Sequence, residues 1–281
     1  MSVRKLEENF FKVLMLLSII IVAGSFLLIV GTIFYKGVPF INWDMITKIP
    51  GGGFYIGKQG GVLNAIIGSL YIAGGATILG LSISIPVAIY INMYINRHNI
   101  IANTLRIAFD VLFGIPSIVY GAFGFLIMVY FGIKASLLGG ILAVTLLVVP
   151  IMVRTLDEVI RTVPHELRDA TLALGATRWE MSKVVLRQIR PGVFTAILLS
   201  FGRAIGDVAS VLFTAGFSDN IPTSLHQPAA TLPLAIFFQL GSPVEEVQGR
   251  AYASALILTV VVLIITVLSS ILSKRLSKNK V

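Results

Sequence analysis

The chain has 281 residues, of which 56% are hydrophobic and only 12% charged, with a formal net charge of +9. A soluble globule carries about 25% charged residues, and a chain this apolar does not cover its own surface in water, so its solvent is the bilayer. The lack of cysteine excludes a disulfide scaffold, Cys-ligated zinc, iron–sulfur chemistry and a thiol nucleophile.

Crossing ~30 Å of hydrocarbon at ~1.5 Å per residue takes ~20 apolar residues in a helix. The first run without Asp, Glu, Lys or Arg is 13–35. It is long for a signal peptide and no small-x-small cleavage site follows, so it reads as a retained span. A Gly-rich loop, 36–61, comes next. Its Gly52-x-x-x-x-Gly57-Lys58 imitates a P-loop, but Gln59 stands where the Mg²⁺-holding Ser or Thr belongs, and no strand precedes it. The second span lies within 62–94 and contains Pro86. The third, 111–133, contains Pro116, and both prolines predict kinks. The fourth is 135–153. A fifth is hidden in 191–217, apolar except for Arg203 and Asp207. The last charge-free run is 251–273.

Between spans five and six, 232–240 is apolar but too short to cross, which suits a re-entrant or interfacial piece. Ser242-Pro243-Val244-Glu245 then reads as a helix start, with Ser at N-cap, Pro at N1 and Glu at N3. That helix is expected to run to Leu272.

With six spans and a cytoplasmic N-terminus, sixteen of the 22 basic residues fall in 1–12, 97–110, 154–190 and 273–281, and five fall outside. The positive-inside rule therefore predicts both termini in the cytoplasm. The net charge is mostly membrane topology; a nucleic-acid face needs a folded soluble domain, and no nucleic-acid partner is expected. His98, His165 and His226 are scattered. His165-Glu166 has no second His at position 169, and no Ser/His/Asp set is visible, so neither a catalytic nor a metal site is expected. The chain divides into 1–61 (first span and external loop), 62–272 (core) and a basic tail, 273–281.

Residues 154–190 carry seven basic and five acidic side chains. Pro164 suits the start of a helix running to Leu174, Gly175 suits a left-handed C-terminal stop, and Thr177-Arg178-Trp179-Glu180 is a capping box for a second helix. Leu167, Ala170 and Leu174 share a stripe, with Trp179 just past the bend. Such a hairpin either lies on lipid headgroups or docks a soluble partner; its mixed charge favours docking. Inside the fifth span, Arg203 falls ~18 Å along the helix, where a charge costs ~2.5–3.5 kcal/mol. Asp207, one turn on, is placed to offset it. The pair either joins helices or lies on a substrate path. A guanidinium binds phosphate oxygens bidentately, and Asp207 is placed to accept a hydrogen bond from the protonated oxygen that phosphate, unlike sulfate, still carries.

Asp169-Ala170-Thr171-x-x-x-Gly175 resembles the EAA loop of ABC importer permeases, and 161–179 as a whole is similar to the phosphate (PstA-type) members. Pro116-Ser117-Ile118-Val119-Tyr120-Gly121, Gly202-Arg203-Ala204-Ile205-Gly206-Asp207 and Ala230-Thr231-Leu232-Pro233-Leu234-Ala235-Ile236-Phe237 resemble the same family. Asp169 and Thr171 depart from its Glu and second Ala, and the Leu-Pro close of the loop is missing, with Arg187 after Leu186. The resemblance implies an all-α, six-helix type I permease in the cell membrane. It implies a substrate path at Arg203, Asp207, Ser117 and Tyr120. It implies an ATPase-coupling loop bearing Glu166, Asp169, Ala170, Leu174, Gly175 and Trp179. It further implies a cytosolic ATPase that binds the ATP and Mg²⁺, a paralogous PstC-type permease, an external phosphate-binding protein, and inorganic phosphate as cargo. Molybdate, sulfate or phosphonate as cargo, a membrane enzyme, and a membrane scaffold are the alternatives.

Overall fold

The computed structural model describes residues 3–51, 59–95 and 99–277. The P-loop-like residues 52–58 and His98 lie outside them. Among the described residues, four helices are long and apolar enough to cross a membrane, and six spans result when each of two bent helix pairs counts as one.

Helix α1 (Val3–Gly37) leaves its apolar stretch exposed and is tethered at its end. There Gly37 packs so closely that a Cβ would lie 2.7 Å from the Tyr252 carbonyl oxygen, and Lys36 Nζ lies 5.1 Å from the centre of the Tyr252 ring. After a 3₁₀ turn (Val38–Phe40) and α2 (Trp43–Thr47), α3 (Leu63–Ile89) runs through Pro86 and widens into a π-helical turn, Tyr90–Tyr94.

The third span is not one kinked helix. Helices α4 (Ile100–Gly114) and α5 (Ser117–Tyr130) meet at 99°. Pro116 supplies no N–H and pushes Ile115 into extended backbone (φ −70°, ψ 131°), so the hydrogen-bond ladder stops there. Helix α6 (Leu137–Arg161) starts at Ser136, whose hydroxyl accepts from Gly139 N, and continues eight residues past its charge-free run. Helices α7 (His165–Ala173) and α8 (Arg178–Gln188) form the expected hairpin, and α9 (Arg190–Ile205) leaves α8 at 69°.

The fifth span also departs from expectation: α9 stops at Ile205 instead of continuing to 217. Asp207 ends it. Its carboxylate accepts from Ser210 N at 2.8 Å and from the Ser210 hydroxyl, which commits the chain to a new turn. The irregular backbone that follows is stitched into the bundle end opposite the hairpin. Leu137 N donates to Gln227 O (2.8 Å), Ser136 N to Thr214 O (2.9 Å) and Leu232 N to Ser69 Oγ (2.8 Å). Non-helical backbone is tolerated at membrane depth only where protein satisfies it in this way.

Helix α10 (Leu232–Leu240) matches the predicted nine-residue piece, capped by Thr231. Helix α11 (Glu245–Ser277) begins two residues later than expected. Ser242 Oγ accepts from Val244 N at 3.3 Å and shapes the entry turn, while the Val244 carbonyl takes the first helical bond, from Gln248 N. The core lies where α3, α6 and α9 meet, around Ile72, Ala76, Val144, Val148 and Ile205, with Leu258 and Val261 of α11 against it. Small side chains let these helices approach closely.

Candidate functional site

The hairpin is built from local signals and then anchored. Gly175 takes φ +81°, a conformation open to glycine without a Cβ clash. Thr177 N and its hydroxyl donate to Glu180 Oε2 at 2.8 and 2.9 Å, and Glu180 N donates back to Thr177 Oγ1. These bonds from the Thr177 backbone and hydroxyl, helped by Lys183, hold the Glu180 carboxyl below the usual glutamate range. The inner face is apolar: Leu167, Met181, Val185 and Ile189 pack on Ala88, Met93, Leu156 and Ile160. Two guanidiniums fasten it, Arg168 on the Ile160 carbonyl (2.7 Å) and Arg178 on the Tyr94 carbonyl (3.2 Å).

The outer face is the exposed one. Glu166, Asp169, Ala170 and Gly175 are exposed, Leu174 is 88% exposed and Trp179 57%. The predicted stripe is therefore split, with Leu167 turned into the core and Ala170 and Leu174 outward. An apolar pair held out on a rigid, anchored bend is a surface made to be covered.

Beneath the hairpin lies a buried ion cluster that the sequence analysis did not anticipate. Asp157 on α6 receives Arg106 Nε of α4 on both oxygens at 3.3 Å and Asn92 Nδ2 of the π turn at 2.7 Å. Arg161 approaches its Oδ2 to 3.0 Å. One carboxylate thus joins three elements. The signal available in the sequence was the Asp157/Arg161 spacing of four on a helix extended past 153.

Arg203 is exposed and opens into a groove of about 770 Å³ between α4, α6 and α9. Among the described residues its guanidinium has no ion-pair or hydrogen-bond partner. The same groove is lined by Arg154, which is paired with Asp110 and, at 2.8 Å, with Glu158. Arg203 and Asp207 are not brought together. Asp207 is buried and engaged by Ser210, because α9 ends between them. Ser117 is the first residue of α5, half-buried at the corner. Tyr120 is buried, and its hydroxyl donates to the Leu112 carbonyl at 2.8 Å across the 99° bend, so it straps the corner shut. Gly121 beside it lets α5 approach the 207–215 turn; a Cβ there would lie 2.6 Å from the Ala209 carbonyl oxygen.

Residues 84–278 match the model of the family described as "Binding-protein-dependent transport system inner membrane component". The chain belongs to that family, as a multi-pass component of a cell membrane transporter. Within it, the similarity is to PstA-type permeases. The "Phosphate transport system permease protein PstA" of Haemophilus influenzae is 32% identical over 250 residues, 88% of this chain and 87% of the relative. That of Pasteurella multocida is 32% identical over 98% of this chain and 97% of its own, and that of Yersinia pestis is 37% identical over 76% and 72%. In fold the chain is similar to a chain of the MetNI methionine ABC transporter in an inward-facing conformation. The TM-score is 0.59 at 19% identity, over 76% of this chain and 95% of that one.

Proposed function

We propose that this chain is the permease subunit of an ATP-binding-cassette importer that admits inorganic phosphate to the cytoplasm. The carrying observation is the anchored hairpin, whose outer face holds Leu174 and Trp179 in solvent while its inner face is packed on α3 and α6. The hairpin seats in a groove of a separate cytosolic ATPase, which binds the ATP and Mg²⁺; this chain is not catalytic and holds no cofactor. Glu166, Asp169, Ala170, Leu174, Gly175 and Trp179 form the coupling surface. Both termini and the hairpin are cytoplasmic, in keeping with the basic residues there. A paralogous PstC-type permease completes the pore, and an external binding protein delivers phosphate. The names carried by the PstA relatives support the cargo.

On the substrate path, Arg203 is the residue that meets the anion, as an unpartnered guanidinium in an open groove. Asp207, Ser117 and Tyr120 shape the path's walls. Reconstitution of the chain with its ATPase and partner permease in vesicles, with the binding protein supplied outside, tests this. Radiolabelled phosphate enters with ATP and not without it, and Arg203→Ala abolishes entry while the complex still assembles. Normal uptake by Arg203→Ala removes that residue from the path, and preferential entry of sulfate or molybdate overturns the cargo.

A further inference from the structure

A second cavity, of about 450 Å³, lies in the elbow between α8 and α9, away from the Arg203 groove. Lys183, Arg187 and Arg190 line it, together with Ile85, Val193, Phe194 and Ile197, and no carboxylate does. Among the described residues, Arg187 and Arg190 have no ion-pair or hydrogen-bond partner; Lys183 Nζ rests 5.2 Å from the centre of the Trp179 ring. Two guanidiniums thus face one cavity with no carboxylate on its wall, and Lys183 beside them shares its charge with Glu180. Arg190 is the first residue of α9, so the charges sit where a span leaves the bilayer core. From there Val193, Phe194 and Ile197 continue along α9 at the three- and four-residue spacing of a single helix face, with Ile85 of α3 opposite.

We propose that this elbow binds one anionic phospholipid, with its phosphodiester between Arg187 and Arg190 and an acyl chain along Ile85, Val193, Phe194 and Ile197. Guanidiniums take phosphodiester oxygens in pairs, and basic pockets between membrane helices at headgroup depth recognise such lipids. The apolar wall decides between a lipid and free phosphate: an inorganic anion has nothing to place against four hydrocarbon side chains. A lipid seated there braces the 69° bend through which α8 and α9 are joined. The site is independent of the solute that the permease carries.

The test is native mass spectrometry of the full-length, delipidated chain in detergent, titrated with phosphatidylglycerol and with phosphatidylcholine of the same acyl chains. The wild type binds phosphatidylglycerol at least tenfold more tightly. Arg187→Gln/Arg190→Gln lowers the preference below threefold, each single variant gives an intermediate value, and Arg187→Lys/Arg190→Lys retains most of it. Arg4→Gln/Lys5→Gln, exposed cations on α1, leaves it unchanged. Millimolar inorganic phosphate leaves the lipid bound. Equal binding of the two lipids by the wild type overturns the proposal, as does an unchanged preference in the Gln variant. So does an equal loss from Arg4→Gln/Lys5→Gln, which makes the effect diffuse charge. Displacement by phosphate makes the elbow a simple anion site and overturns the lipid assignment.

Discussion

Replacing Asp157 with Asn tests whether the buried cluster is a structural latch. Two unit charges ~4 Å apart at an effective dielectric of ~20 attract by about 4 kcal/mol. The Arg161 side chain is 41% exposed and its share is largely screened, whereas Arg106, at 16%, keeps most of its own. Breaking a buried pair costs about 3–5 kcal/mol. Asn still offers Asn92 an acceptor, and the adjoining cavity of about 230 Å³ gives Arg106 some access to water. The expected loss is therefore lower, about 2–3 kcal/mol, or roughly 5–10 °C in melting temperature for a chain of this length. The chain has two tryptophans, and one of them, Trp179, sits on the hairpin, so its fluorescence during heating in detergent reports the region directly. Arg106→Met is the partner variant. If the two groups act on each other, Asp157→Asn/Arg106→Met loses less than the sum of the single variants, by about 1.5 kcal/mol or more, well beyond the ~0.5 kcal/mol scatter of independent sites. Additive losses would refute the latch.

Tyr120→Phe leaves the Leu112 carbonyl with only the Ile115 N–H (3.1 Å) and removes the bond across the corner, which is expected to cost about 1 kcal/mol, read as a lower melting temperature with faster amide exchange at the end of α4. An unchanged melt shows that the strap is dispensable. At Gly175 there is open space for a Cβ, so the cost of Gly175→Ala is conformational alone, about 1 kcal/mol on hairpin protection. A neutral outcome places the left-handed turn outside the hairpin's stability. Glu180 is held below its ordinary range, so its contribution is present above the unfolded-state pKa of ~4.3 and is lost as pH falls through the lower folded value. Amide protection over 177–188 therefore holds at neutral pH and declines only in acid, and Glu180→Gln removes that acid step. The same decline in the Gln variant assigns it to another group.

How far the fold could be read from the sequence depended on the distance over which each signal acts. The α7–α8 hairpin and α10 were legible because Gly175, the Thr177/Glu180 box and the nine-residue run at 232–240 each declare themselves within one or two turns. The breaks in spans three and five were missed for a different reason. Counting apolar residues measures what lipid tolerates, not where the backbone ladder stops. Pro116 alone predicts a kink, yet the corner closes to 99°, with the Tyr120 hydroxyl donating to the Leu112 carbonyl beside the break. Gly206-Asp207-x-x-Ser210 is a turn signal, but Asp207 four residues after Arg203 has the spacing of an ion pair as well. Of the Asp157 cluster only the Arg161 spacing is local; the other partners, Arg106 and Asn92, lie 51 and 65 positions away in the chain and carry no mark in the sequence.

The same connectivity gives the hairpin mechanical leverage over Arg203. Leu156 and Ile160, which carry the hairpin's inner face, flank Asp157 on α6, so the latch and the packing hold one stretch of helix to α4, the π turn and α8. Helix α8 passes to α9 through a single buried residue, Ile189, whose N–H bonds the Val185 carbonyl and whose carbonyl accepts from Val193 N. Nothing slack separates them. Arg203 lies ~21 Å beyond Ile189 at ~1.5 Å per residue, so a rotation of α9 by about 5° about that residue carries its guanidinium through about 2 Å. Hydrogen bonds of 2.7–3.2 Å do not survive such a shift. On the proposed path, a small push on α8 is therefore sufficient to make or break the grip of Arg203 on an oxyanion, and it shifts Ala204 and Ile205 against the α3–α6 core at the same time.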